Sequence, residues 1–233
     1  MQAYIINLDD RKDRWLSVEK QFSSSHFNFQ RVSAIQDAAV FDDTRCTLGV
    51  TAIWLSHKKA MERFLASSDQ FALILEDDFN VKSWDKLKLV IQKSLLYKFD
   101  FVQIGYLKTS PLNSIGILTQ NSQDFFLKWL ALASEIPLLK RRKFFSRLLI
   151  REQTGIPMDF VLNDIRAGAH CYLINRKFAE FALGINAPIF LSTDLLYMSL
   201  GHMRSLNMSR VRKSVVSQSK SPSSVTERFL RSN

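Results

Sequence analysis

Three acidic residues in a row, Glu76, Asp77 and Asp78, follow the apolar run Phe71-Ala72-Leu73-Ile74-Leu75. Adjacent carboxylates repel one another, which costs stability unless a cation compensates. Mg²⁺ and Mn²⁺ bind through one or two carboxylates plus phosphate oxygens, and this triplet would supply the carboxylates. The preceding run is continuously apolar, as a central parallel strand covered on both faces is. In an open α/β sheet the ligand crevice lies beyond the carboxyl ends of such strands. Alternation along the strand puts Glu76 and Asp78 on one side and Asp77 on the other. A solvated acidic turn would have the same composition, and the residues alone leave both readings open.

The elements that must hold these acids can be read from apolar patterning. Tyr4-Ile5-Ile6-Asn7-Leu8 is a short, β-branched strand opening into a charged loop and a helix over about 13–22. Residues 51–66 read as a helix with Trp54, Met61, Phe64 and Leu65 for a core face. Residues 99–105 form a further strand, and 169–174 followed by 176–183 a strand and helix. Strands alternating with helices at this spacing predict an α/β domain with a mostly parallel, Rossmann-like sheet. No internal repeat is present. From Ser214 onward the Ser- and Lys-rich composition predicts a tail over 214–233, after a single domain spanning 1–213.

The 233 residues carry 32 Lys and Arg against 22 Asp and Glu, a net charge of +10, and 46% are apolar. That composition excludes a disordered or fibrous chain, and the length can bury a full core. The charge is unevenly placed. Residues 140–151 hold six basic side chains and no acid, and 201–233 hold seven against Glu227 alone, so the remainder nets −2. A near-neutral body with two basic segments does not coat nucleic acid. Within 140–151, Phe144, Phe145, Leu148 and Leu149 share one helical face while Lys143, Arg147 and Arg151 share another. This is either a basic amphipathic helix lying on an anionic membrane or a surface helix packed on the core; its cations could also bind acidic or phosphorylated saccharide. No secretory signal and no apolar run of about 18–20 residues is present, and Cys46 and Cys171 make no disulfide framework. A cytoplasmic protein with reduced, buried cysteines, touching the inner membrane only from its surface, is expected.

Four blocks in this chain, in order, are similar to glycosyltransferase family 25, the lipopolysaccharide-biosynthesis glycosyltransferases that include bacterial lipooligosaccharide galactosyltransferases. They are Ile6-Asn7-Leu8-Asp9 with Arg11, Asp13 and Arg14; Leu55-Ser56-His57-Lys58; Ala72-Leu73-Ile74-Leu75-Glu76-Asp77-Asp78; and His170-Cys171-Tyr172-Leu173-Ile174-Asn175-Arg176-Lys177. Ala52-Ile53 stands where the family usually has Gly-Cys, and Ala169 where Thr is common. Residues 106–165 match no block and are expected to be the variable, acceptor-choosing region.

The resemblance implies a GT-A-type fold, a UDP-sugar donor (commonly UDP-galactose), Mn²⁺ or Mg²⁺, and transfer of a hexose with inversion to a lipid-linked or oligosaccharide acceptor. It makes Glu76, Asp77 and Asp78 the DxD-like motif, with Asp78 and Asp77 as metal ligands. It puts Asn7, Leu8, Arg11 and Arg14 at the nucleotide and its phosphates, where the arginines could instead bridge Asp10 or Asp13. It makes His57 and His170 site-lining residues, although a lone His is also an ordinary core residue. An inverting transfer needs a base for the acceptor hydroxyl. Asp194 is the first candidate, with the alternative that it caps a helix over 195–200; Asp159 and Asp164 are weaker candidates. Two other functions fit the same acids and basic segments: a metal-dependent nuclease or phosphoryl-transfer enzyme, and a non-catalytic binding protein.

Overall fold

The computed structural model describes residues 1–36, 46–107, 159–186, 188–203 and 205–219. The chain divides into one unit of Met1–Leu107 with Val161–Asn233 and another of Lys108–Phe160. Of the second unit, only Asp159 and Phe160 are among the described residues. The basic segment 140–151 lies outside them.

The elements run β1 (Gln2–Asn7), α1 (Lys12–Phe22), β2 (Phe29–Ser33), α2 (Leu48–Ala66), β3 (Phe71–Glu76), β4 (Phe79–Val81), α3 (Trp84–Leu96) and β5 (Phe101–Gly105). After residue 158 come β6 (Phe160–Leu162), β7 (Cys171–Asn175), α4 (Arg176–Ile185), α5 (Thr193–Leu200), β8 (Met208–Val211) and β9 (Val216–Gln218). The sheet order is β2-β1-β3-β7-β5-β8-β6, with β9 joined to β4 and β5. β1 is parallel to β2 and β3, and β5 is parallel to β8. β7 is reversed, running antiparallel between β3 and β5. The architecture is mixed α/β with a mostly parallel central sheet.

Burial follows the apolar pattern. Ile5, Leu73, Ile74 and Leu75 are fully buried, as strands covered on both faces require. α2 buries Trp54, Ala60, Met61 and Phe64, and α4 buries Phe178, Ala179 and Ala182 on an i, i+1, i+4 stripe. Asn175 and Ser192 cap α4 and α5, each side chain accepting from the backbone N–H three residues on. Phe101, Tyr172, Phe178 and Tyr197 form one aromatic cluster, with centroids 4.7 Å apart for Phe101–Phe178 and 5.2 Å for Tyr172–Tyr197. Buried Asp100 ties three segments together: it accepts from Asn175 Nδ2, Lys177 Nζ and the Asn207 backbone, each at 2.8 Å.

Two expectations change. Residues 214–219, placed in a tail by composition, include β9, whose Val216 is fully buried beside Gly105. A three-residue strand inside a Ser- and Lys-rich stretch has too few residues to alter its average. Cys171 is buried as expected, its thiol pushed up by burial, but Cys46 is only half-buried. Among the described residues no helix is long and apolar enough to cross a membrane.

Candidate active site

β1 and β3 lie side by side with Ile6 opposite Glu76, so both carboxyl ends open into one cavity of about 270 Å³. Its walls include Leu8, Arg14, His57 and all three acids. Each acid has a different partner. Glu76 Oε1 lies 3.3 Å from His57 Nε2. Asp77 Oδ1 accepts from Arg14 Nη1 at 2.8 Å, and its Oδ2 accepts from Asn7 Nδ2 at 2.7 Å. Asp78 Oδ2 accepts from Gln218 Nε2 at 2.7 Å, while its Oδ1 is buried and makes no hydrogen bond.

These environments set the charges apart. Burial and repulsion from Glu76 and Asp77 push the Asp78 carboxyl up to about 6, against the hydrogen bond from Gln218. Burial also raises Glu76, but the hydrogen bond and charge of His57, with His170 and Arg14, bring it below the ordinary carboxylate value. Behind His57 the bonding continues: Tyr197 donates to Tyr172 at 3.0 Å, and the Tyr172 hydroxyl lies 2.7 Å from His57 Nδ1. His57 is thus both a buried core residue and a wall of the site.

Among the described residues, no three His, Cys, Asp or Glu side chains converge as a metal-binding set. A Mg²⁺- or Mn²⁺-type site that takes most of its oxygens from phosphate and water needs no such set. The buried, unpartnered Oδ1 of Asp78 fits that role. Asp77, expected as a second ligand, accepts from Arg14 and Asn7, one bond to each oxygen, and so ties α1 and β1 to β3.

A second cavity, of about 180 Å³, shares Ile53, Glu76 and Gln218 with the first. Asp194, Thr193 and His170 line it. Asp194 Oδ2 accepts from the Gly168 N–H at 2.9 Å, and Ser192 supplies the α5 cap, so the capping alternative for Asp194 is set aside. Burial raises the Asp194 carboxyl above its ordinary value, against the hydrogen bond from Gly168. Burial lowers His170, opposed by Glu76 and by the Val216 backbone, which approaches the ring without the geometry of a full hydrogen bond.

The fold therefore brings Leu8, Arg14, His57, Glu76, Asp77 and Asp78 to the first cavity, with Asn7 just behind Asp77, and places His170 and Asp194 at the second. Arg11 lines neither: its guanidinium grips both oxygens of Asp13 at 3.0 and 2.9 Å. Asp164 is engaged by Arg210, and Asp159 is exposed. Sequence reasoning missed Gln218, which lines both cavities, and Gln103, whose amide bonds Arg166 and Gly168 and so shapes the loop that reaches Asp194. A glutamine inside the otherwise apolar Phe101–Gly105 was the available signal for Gln103; nothing in the sequence marked Gln218.

The model of Glycosyltransferase family 25 (LPS biosynthesis protein) matches residues 1–197. The chain belongs to this family and is a glycosyltransferase of lipopolysaccharide biosynthesis. No curated protein gives a significant match. Among solved structures the chain is similar to A197 from STIV, at 13% identity and TM-score 0.41, over 92% of this chain and 82% of that one. It is also similar to a glycosyltransferase involved in the glycosylation of the major capsid of PBCV-1, at 9% identity and TM-score 0.44, over 99% and 97%.

Proposed function

We propose that the chain transfers a hexose, galactose from UDP-galactose, with inversion at the anomeric carbon, onto a lipooligosaccharide or related glycan, using a GT-A-type fold. The observation that carries this reading is the buried, unpartnered Asp78 Oδ1 in a cavity at the carboxyl ends of β1 and β3, with Arg14 on its wall. Asp78 would hold Mn²⁺ or Mg²⁺, which when bound neutralises the departing diphosphate. Arg14, anchored by Asp77, presents a guanidinium toward the phosphates, and Leu8 offers an apolar wall to the nucleoside. His57 fixes Glu76 between the two cavities. Asp194, whose environment raises its proton affinity, takes the proton of the acceptor hydroxyl as its oxygen bonds to the anomeric carbon and the bond to the diphosphate breaks. Family membership favours this chemistry over nuclease activity or binding alone. We place the enzyme in the cytoplasm, with residues 140–151 at the inner membrane near an embedded acceptor.

The test is thermal melting with UDP and Mn²⁺, coupled to UDP release from UDP-galactose. UDP at about one hundred times its Kd adds about 2.7 kcal/mol, or roughly 5–10 °C for a chain of this size. Asp78→Ala abolishes the shift. Asp194→Asn keeps it while kcat falls by about 10²–10⁴. If UDP fails to shift melting with every divalent metal tried, the donor reading is wrong; if Asp194→Asn retains full turnover, that residue is not the base.

A further inference from the structure

We propose that the second cavity is the acceptor pocket and that it takes a neutral, hydroxyl-bearing sugar ring, not one carrying phosphate or carboxylate; this rests on the transferase reading above. Because the cavity shares Ile53, Glu76 and Gln218 with the first, ligands in the two meet at a common wall. At about 180 Å³ it is several times the roughly 30 Å³ share of one water, so it is more than a hydration site.

Its polar groups suit hydroxyls. Thr193 Oγ1 is buried with no hydrogen-bond partner, on a residue only 3% exposed. The His170 ring nitrogens, on a residue 1% exposed, likewise lack a full hydrogen bond. Leaving such a group unpaired is destabilising, and a ligand that both donates and accepts can satisfy two of them on residues lining one cavity. The backbone is shaped to seat the imidazole. A Cβ at Gly105 would stand 2.6 Å from His170 Nε2, and one at Gly168 would stand 3.2 Å from Nδ1. Val50, Ile53 and Leu107 supply apolar surface for the C–H face of a ring.

Charge decides the class of ring. The lining contains the carboxylates of Glu76 and Asp194 and, among the described residues, no Lys or Arg. A phosphorylated sugar or a uronic acid would set its anion against two like charges, with no Lys or Arg among the described lining residues to offset them. Thr193 and His170 are then the groups that orient the acceptor hydroxyls, with Asp194 beside them.

The experiment is saturation-transfer NMR on the full chain, with UDP and Mn²⁺ present. Methyl β-galactoside and methyl β-glucoside serve as neutral probes, and methyl β-glucuronide and glucose 6-phosphate as charged ones. The neutral probes are expected to give signal and the charged ones none. Thr193→Val should weaken neutral-probe binding at least fivefold, Thr193→Ser should retain it, and both should keep the wild-type melting shift with UDP. Charged probes binding as well as neutral ones, Thr193→Val binding like wild type, or silent neutral probes in a protein that UDP does stabilise would each overturn the proposal. A protein that UDP fails to stabilise points to failure of the donor reading instead, and the two failures are separable.

Discussion

At Asp78 the fold keeps a carboxylate whose ionised form it disfavours. Its pKa near 6 stands above the ordinary 3.8, so the folded state holds a proton there that the unfolded chain has already released. Stability is therefore lost as pH rises from about 4 through 6, and the whole cost is present above that window. Asp78→Asn removes the charge while leaving an oxygen for Gln218. It should stabilise the ligand-free protein by about 1–3 kcal/mol at pH 8 and by nothing near pH 4, as denaturant titrations at the two pH values would show. An unchanged difference at both would mean that the carboxylate is not under this repulsion. The acids themselves were legible, because no other stretch sets three carboxylates on so apolar a strand. Their partners were not: Arg14 lies 63 residues before Asp77, and Gln218 lies 140 residues after Asp78. Only the pairing of strands brings such separations to hydrogen-bond distance.

At the scale of elements, the loop before β7 is as specific as any helix. Gly168 has φ +98°, donates to Asp194, and would put a Cβ 2.7 Å from the Leu107 backbone nitrogen. Positive φ costs a side-chain-bearing residue about 1–2 kcal/mol, and here the obstacle is backbone, which cannot rotate aside. Gly168→Ala should lower stability by about 2 kcal/mol or more by chemical denaturation and reduce turnover further, since relief of the clash moves the backbone N–H that orients Asp194. Wild-type stability in that variant would refute the strain. The long elements were readable from period and apolar runs: α1 begins at Lys12, β3 covers Phe71–Glu76, and α4 follows β7 directly. β4, β6 and β9, with three residues each, are too short to carry a period. Capping stood as an alternative for Asp194 because Ser192, Thr193 and Asp194 are all good capping residues, and the choice among them depends on where Gly168 lies.

For the molecule as a whole, the family match ends at residue 197, yet Gln218 from β9 completes the walls of both cavities. Charge remains a matter of segments. Six basic side chains in 140–151, at about 1 kcal/mol each near an anionic surface, should make the chain co-sediment with phosphatidylglycerol-containing vesicles but not neutral ones, and salt should release it. Binding that ignores lipid charge would sink that role. The reversed strand β7 carries a consequence of another kind, for how the chain folds. β1, β2 and β3 can pair from neighbouring sequence, but β7 must enter between β3 and β5 long after both have been made. Until it does, two strand edges with mostly buried side chains lie open to any other extended chain. Such non-local pairing makes folding slow, and crowded refolding should divert molecules into aggregates at the β3–β5 slot rather than at the surface elements.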